Sequence, residues 1–214
     1  MAYHTTPKMA ARKETRRRKL LNEAIRIFGE RGFHATTVPM IVAAADSSTG
    51  AFYLCFRNKE DVFAAALEWL GGQISAAVSE AIARAGPDVF SRMRAAVEGL
   101  VGFLAEHPQE ARILIVESSG LGQRLELVRR TVIQSHTRGV QQALAALATR
   151  LPPMDTQVAA SCWVGAAYEA VFQWLERPAA QRVPPSRLAE AIADYNLRAI
   201  GAPGLQQQSG GERR

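Results

Sequence analysis

Apolar residues return every three to four positions through most of this chain, and no convincing alternating strand interrupts them. From Arg12 to Arg31, the side chains Leu20, Leu21, Ala24, Ile25, Ile27 and Phe28 fall on one stripe, which predicts a first helix with one buried face. Gly32 then fits a helix stop. A shorter helix is predicted from Val38 to Ala45. Thr37 stands where its hydroxyl can cap it, and Pro39 lies in the first turn, where its missing N–H costs little. The pair Asp46-Ser47 marks a tight turn. Ser48 opens a third short helix, in which Phe52 and Phe56 share the i, i+4 face that should pack on the first helix. Beyond Lys59, helical segments of about 15 to 28 residues are separated by breakers at Gly86-Pro87, His107-Pro108, Gly120-Leu-Gly122, Pro152-Pro153, Pro178 and Pro184-Pro185. The expected fold is all-α with about nine helices, a three-helix unit over 12–58 followed by a larger helical body over 59–203.

Charge sharpens that division. Residues 1–60 hold 11 Lys+Arg against 5 Asp+Glu, whereas residues 61–214 hold 15 of each, so the net +6 of the chain sits entirely in the first segment. All four lysines (Lys8, Lys13, Lys19, Lys59) lie there as well. A basic end on a neutral body fits a polyanion-binding module joined to a separate functional domain. Residues 1–11 read as a disordered basic arm and 204–214 as a disordered tail. Cys55 and Cys162 form no disulfide framework and point to a reducing compartment. The basic amino terminus has no apolar core after it, and no uninterrupted apolar run approaches about 18 residues, so the expectation is a cytoplasmic protein outside the membrane.

Two short helices joined by a tight turn can set the second into a major groove, which is wide enough to admit one. Ser48 at the start of that helix leaves its hydroxyl and the first free N–H groups facing outward, where a phosphate is favoured. Gly50 costs roughly 1 kcal/mol relative to Ala inside a helix, so its presence implies close approach to DNA or to a neighbouring helix. Tyr53 can reach a phosphate, and Asn58 can cap the next helix. Lys59 in that helix's first turn opposes the helix dipole, and a phosphate contact explains it better than helix stability does. Arg16-Arg-Arg-Lys19 is either a solvated face or a run lying along the phosphate backbone.

The run Thr36-Thr-Val-Pro-Met-Ile-Val-Ala-Ala-Ala-Asp-Ser-Ser-Thr-Gly-Ala-Phe-Tyr-Leu-Cys-Phe-Arg-Asn-Lys-Glu60, preceded by Ala24-Ile-Arg-Ile-Phe-Gly-Glu-Arg-Gly-Phe33, resembles the signature of the TetR family of transcriptional regulators. The resemblance covers about the first 65 residues. It implies a DNA face of Thr37, Ser48, Thr49, Gly50, Ala51, Tyr53 and Lys59, beside which a basic first helix would set Arg16 and Arg17 along the phosphate backbone. Asp46 stands where the family usually has a turn Gly, which Asp tolerates because it can adopt a left-handed backbone. Ser47 replaces a usual Val, Ala51 and Cys55 stand where Thr and His are common, and Pro39 occupies a position that is often polar. These departures bear on the operator sequence more than on binding itself.

In the body, Ala159, Cys162, Ala166 and Ala170 lie on one face of a predicted helix, and Leu188, Ala191, Ile192, Tyr195 and Ala199 form a stripe on the last. Each pattern alone is more often ordinary core. The resemblance implies a homodimer through the last two helices, with Ala159, Cys162, Ala166, Ala170, Leu188, Ile192 and Tyr195 at the interface. It also implies a small apolar effector in the middle helices, with Met93, Val97, Leu100, Phe103, Ile113, Val116, Trp163, Tyr168 and Phe172 as pocket residues that core packing explains equally well. The four scattered histidines lack ligand spacing, so no metal or cofactor is expected. An enzyme built on Ser118-Ser119 or His136 has no phosphate loop or paired carboxylates in support. A protein-binding adaptor would leave the basic end unexplained. The expected function is a dimeric, effector-responsive regulator that binds a palindromic DNA operator, as a repressor or, alternatively, an activator.

Overall fold

The computed structural model describes residues 7–118 and 120–202, and every regular element among them is helical. The helices are α1 (Pro7–Ala35), α2 (Val38–Ala44), α3 (Thr49–Tyr53), α4 (Lys59–Arg84), α5 (Val89–Glu106), α6 (Pro108–Arg112), α7 (Gln123–Ala146), α8 (Thr156–Glu176) and α9 (Pro185–Ala199). Each breaker read from the sequence falls between helices or opens one. Two expectations need correction. Residues 7–11 are helical, as the first turns of α1, and do not belong to a disordered arm. Residues 113–117, of which the sequence reading singles out Ile113 and Val116 as pocket residues, form a π-helical turn that continues α6. Residues 1–6 of the expected arm and the expected tail at 204–214 lie outside the described residues.

The chain divides into two compact units, and the boundary is not the one at residue 58. The first unit is the chain up to Leu70 together with Gln109–Arg129. Its core joins Leu20, Ala24 and Phe28 of α1 to Ile41, Phe52, Phe63 and Leu67, with Ile113, Leu114 and Leu125 of the later segment also fully buried. Phe63 meets Phe28 edge-on at 4.8 Å and Phe33 at 5.0 Å, pairs that add about 0.5–1.5 kcal/mol each beyond burial. Gly32 ends the straight part of α1 at φ 78°, a conformation essentially restricted to glycine at its ψ of 170°. The Thr36 hydroxyl then donates to the Gly32 carbonyl at 2.7 Å.

Two glycines of α1 cut a notch for the later segment. A Cβ at Gly29 would stand 2.8 Å from Gln109 Cβ, and one at Gly32 would stand 2.8 Å from a carboxylate oxygen of Glu117. That carboxylate accepts the Phe33 N–H at 3.3 Å. The Arg124 guanidinium donates to Asp61 of α4, so a second link joins the segment to the same unit.

The second unit is Gly71–Pro108 together with the chain from Arg130 onward. Here α9 packs mainly along α5, and Arg94 pairs with Asp194 at 2.6 Å across them. Asn196, buried on α9, donates to the Trp163 carbonyl of α8 at 3.2 Å. Gly99 lets α5 approach α4, since a Cβ there would lie 2.9 Å from the Ala77 carbonyl oxygen. Near Gly71 of α4 and Val132 of α7 sits a polar knot, in which His136 Nδ1 meets the Tyr168 hydroxyl at 2.8 Å and Nε2 meets Ser75 Oγ at 3.3 Å. Burial disfavours the imidazolium and lowers the His136 pKa, against a smaller opposing effect of the Gly71 backbone.

α4 is the one described helix long and apolar enough by length and composition to cross a membrane, with half of its most apolar window buried inside the chain. Val62, Phe63, Ala66, Leu67, Leu70 and Ile74 direct that apolarity into the protein core.

Candidate nucleic-acid interface

The recognition element is built by three local devices. Asp46 takes φ 43°, the one positive value among described non-glycine residues, and so turns the chain sharply after α2. Ser48 Oγ then accepts the Ala51 N–H at 3.2 Å, a cap worth about 1 kcal/mol. Phe52 and Phe56 are both buried and anchor the inner face, with the Arg17 guanidinium of α1 lying 5.0 Å above the Phe56 ring. What remains outside is Ser48, Thr49, Gly50 and Tyr53, all exposed, with Ala51 half-buried. Tyr53 keeps 56% of its surface in solvent, which leaves its hydroxyl free to meet a partner.

Gly50 offers the sharpest single observation. A Cβ built there meets no atom within 4 Å, so nothing among the described residues requires glycine at this position. Packing against a neighbouring helix, one of the two reasons read from the sequence, is therefore removed.

Two sequence readings change. Thr37 precedes α2 in an extended conformation but its hydroxyl makes no capping bond, and it stays exposed. Pro39 sits in the first turn as expected. Lys59 has a reason inside the chain that the sequence reading missed. Its ammonium donates to the Phe33 carbonyl at 2.8 Å and lies 4.2 Å from the Phe33 ring, so it satisfies a carbonyl in the last turn of α1. Asn58 caps α4 as expected, accepting the Asp61 N–H at 2.8 Å, while the Asp61 carboxylate accepts the Arg57 N–H at 3.0 Å. Burial alone would raise the Asp61 pKa. The Arg57 N–H and the Arg124 guanidinium outweigh it and hold the carboxyl below its usual range.

Along α1, Arg12, Lys13, Arg16, Arg18 and Lys19 are exposed, and among the described residues only Lys19 of these has a carboxylate within reach, Asp46 at 4.0 Å. Farther along, Arg26 is held by Glu23 and Glu30, so the free positive charge concentrates toward the start of the helix.

The remaining expected sites divide between the units. Met93, Val97 and Trp163 are buried in the second unit, and Leu100, Phe103, Tyr168 and Phe172 are half-buried there. Ile113 and Val116 belong to the first unit. On α8, Cys162 is exposed, while Ala159, Ala166 and Ala170 are half-buried. Ile192 requires correction as an interface residue, because it is buried within its own chain. The outward face of α9 carries Ala191, Tyr195 and Ala199, with Leu188 half-buried beside them. Ser118 is fully buried and donates to the Leu114 carbonyl, so its hydroxyl is not presented to a substrate. Ser119 lies outside the described residues. Gln109 and Glu117 had no sequence signal beyond the glycines that receive them, Gly29 and Gly32, and Arg124, which reaches Asp61, had none.

Comparison with known proteins agrees with this geometry. Residues 20–66 match the family model described as bacterial regulatory proteins, tetR family. Among curated relatives, the chain is 37% identical over 57 residues to the uncharacterized HTH-type transcriptional regulator YerO of Bacillus subtilis, covering 27% of this chain and 20% of that protein. It is 28% identical to the uncharacterized HTH-type transcriptional regulator YdgC of the same organism, covering 70% and 75%. It is 32% identical to the HTH-type transcriptional activator FasR of Mycolicibacterium smegmatis, covering 50% and 48%. The chain thus spans less than two thirds of YerO and of FasR.

Solved structures share the fold. The fatty acid degradation regulator FadR of Bacillus halodurans superposes with a TM-score of 0.75 at 22% identity, covering 85% of this chain and 94% of that one. FadR of Bacillus subtilis, solved with stearoyl-CoA, gives 0.75 at 19% identity, covering 85% and 98%. AibR, solved with isovaleryl coenzyme A and operator DNA, gives 0.68 at 18%, covering 84% and 97%. The capped recognition helix, the family match over residues 20–66 and these relatives together support reading the chain as a regulator of the bacterial TetR family.

Proposed function

We propose that this protein is a homodimeric repressor that reads a palindromic operator and releases it when a small, largely apolar effector binds the body. Gly50 carries the DNA part of the reading, as a helix glycine that no neighbour among the described residues requires, flanked by exposed Ser48, Thr49 and Tyr53. Those residues meet the major groove, with Thr37, Ala51, Arg16 and Arg17 beside them and Lys59 positioning the start of α4 through Phe33. A two-fold dimer sets its recognition helices about 34–36 Å apart, one per half-site.

The dimer face is the outward side of α8 and α9, with Cys162 and the partly exposed Ala159, Ala166 and Ala170 on one helix and Leu188, Ala191 and Tyr195 on the other. Tyr195 is 65% exposed in the single chain, and an aromatic left in solvent there is explained by a partner. The effector site lies among the body helices, with Met93, Val97, Leu100, Phe103, Trp163, Tyr168 and Phe172 supplying apolar walls. Two fold neighbours were solved with acyl-CoA thioesters, which makes acyl chains the first effectors to try. α4 runs from the first unit into the second, so an effector that moves its later turns moves Lys59 and the recognition helix with it.

Footprinting of DNA upstream of the gene, with and without acyl-CoAs of graded length, tests this reading. A palindromic footprint lost on adding one of them is the expected result. Absence of any protected site, or a footprint that Thr49→Ala with Tyr53→Ala leaves intact, overturns it. FasR is an activator, so a promoter fusion decides the sign of control.

A further inference from the structure

A polar cluster interrupts the apolar packing of the second unit. On α7, His136 is flanked one turn away on either side by Val132 and Val140, and on α8 Tyr168 is flanked in the same way by Val164 and Phe172. Gly71 lets α4 and α7 meet, since a Cβ there would stand 2.7 Å from a methyl of Val132. One turn farther along each helix, Ser75 Oγ meets His136 Nε2, whose ring reaches Tyr168 through Nδ1. A chain of three half-buried polar groups thus ties α4, α7 and α8 at a level where apolar side chains would pack with no hydrogen bonds to satisfy. Burial disfavours the imidazolium, and no charged side chain is among the influences on its titration. The Gly71 backbone, one turn before Ser75, favours a proton on the ring, which assigns that proton to Nε2, the nitrogen that meets α4. Nδ1 then accepts the Tyr168 O–H, and the Ser75 O–H remains as the donor at the end of the chain.

A second feature lies beside each of the three. Gly72, Gly139 and Gly165 stand three residues from Ser75, His136 and Tyr168 respectively, and so neighbour them on the helix surface. All three are exposed, none has a positive φ, and a Cβ built on any of them meets no atom within 4 Å. Glycine is disfavoured inside a helix, and nothing among the described residues requires it at these positions. Of the open glycines in α4, α5, α7 and α8, only Gly102 of α5 lies elsewhere. Bare helix backbone around a hydrogen-bonding group lets something outside the chain come close.

Resting on the effector reading above, we propose that Ser75, His136 and Tyr168 select the effector by its polar group: an uncharged carbonyl, as in an ester, thioester or ketone, accepts the Ser75 O–H, while the apolar chain attached to it passes over the open glycines. A free carboxylate is rejected, because it would give up hydration with no cation to replace it. Ser75 touches the ligand, and His136, held by Tyr168, is a positioning residue that orients the Ser75 hydroxyl.

Calorimetric titration of the full chain with methyl octanoate and with octanoate tests the assignment, with thermal melts checking the fold of each variant. The wild type should bind the ester about tenfold tighter than the acid or better. Ser75→Ala should weaken the ester roughly 2- to 10-fold, the worth of one neutral hydrogen bond, and leave the acid level. His136→Ala should lose the ester preference and His136→Gln, whose amide can still accept from Tyr168 and donate toward Ser75, should retain it. Gly139→Ala should hold or raise the melting temperature while weakening the ester. Equal affinity of the wild type for ester and acid overturns the proposal, as does an ester preference that survives both Ser75→Ala and His136→Ala. A Gly139→Ala variant with a shifted monomer–dimer equilibrium and level ester affinity gives the bare backbone to a second subunit and overturns the seat assigned to the chain. If the wild type binds neither probe and no acyl-CoA, the effector reading itself fails, a result distinct from these.

Discussion

Replacing Gly50 with alanine separates the needs of the fold from the needs of DNA. The new Cβ would meet no atom within 4 Å, and the backbone there has no positive φ to strain an L-residue. Alanine in a helix is favoured over glycine by up to about 1 kcal/mol, less near an end, and Gly50 is the second residue of the five-residue α3. The free energy of unfolding should therefore stay level or rise by about 0.5 kcal/mol, read from urea denaturation with the slope unchanged. On DNA the same methyl would enter a tightly packed contact, where an extra methyl costs about 1–3 kcal/mol. That converts to roughly 5- to 150-fold weaker operator binding, measured by fluorescence anisotropy. A variant destabilised by more than 1 kcal/mol would reveal a reason for glycine inside the chain. A stable variant with wild-type affinity would refute close approach of DNA at Gly50.

Gly32→Ala should behave in the opposite way, losing about 2–5 kcal/mol of stability, because φ 78° is strained for alanine and the Cβ would displace the Glu117 carboxylate from the Phe33 N–H; a loss below 0.5 kcal/mol in denaturant would count against the notch. Asn58→Ala should cost about 1 kcal/mol, since the cap at Asp61 N–H is lost, and a matching drop in the melting midpoint would be seen by circular dichroism. Stability should also fall as pH drops through about 6.5. Burial depresses the His136 pKa in the folded chain, so the unfolded chain takes up a proton that the native one refuses, and the effect vanishes at higher pH where both forms are neutral. Urea midpoints at about pH 7.5 and 5.5 should differ in the wild type and converge in His136→Asn; equal convergence in both would remove His136 from the account.

Much of the helical layout was legible because its signals are local. Periodic apolar residues gave α1, and Pro and Gly marked the breaks between the long helices. Ser48 and Asn58 cap as their positions suggested, and Asp46 adopts the left-handed turn that its side chain tolerates. Long-range partners were not legible. Lys59 looked surplus to helix stability because its acceptor, the Phe33 carbonyl, lies 26 residues away in sequence. The π-helical turn left no mark in the apolar run Ile113-Leu-Ile-Val116. Ile192 fell on the stripe of α9, but periodicity cannot tell a side facing α5 from a side facing another subunit.

The glycine notch on α1 also governs how such proteins can be recombined. A graft that carries only the first 58 or 66 residues onto another sensor would leave behind Ile113, Leu114 and Leu125, which complete the floor beneath α1 and α4. The transplantable cassette is thus two stretches of chain. A chimera that moves Gly29 and Gly32 without Gln109 and Glu117 would put a host side chain into a slot shaped for a different one, and its operator response would be disturbed before any effector was added.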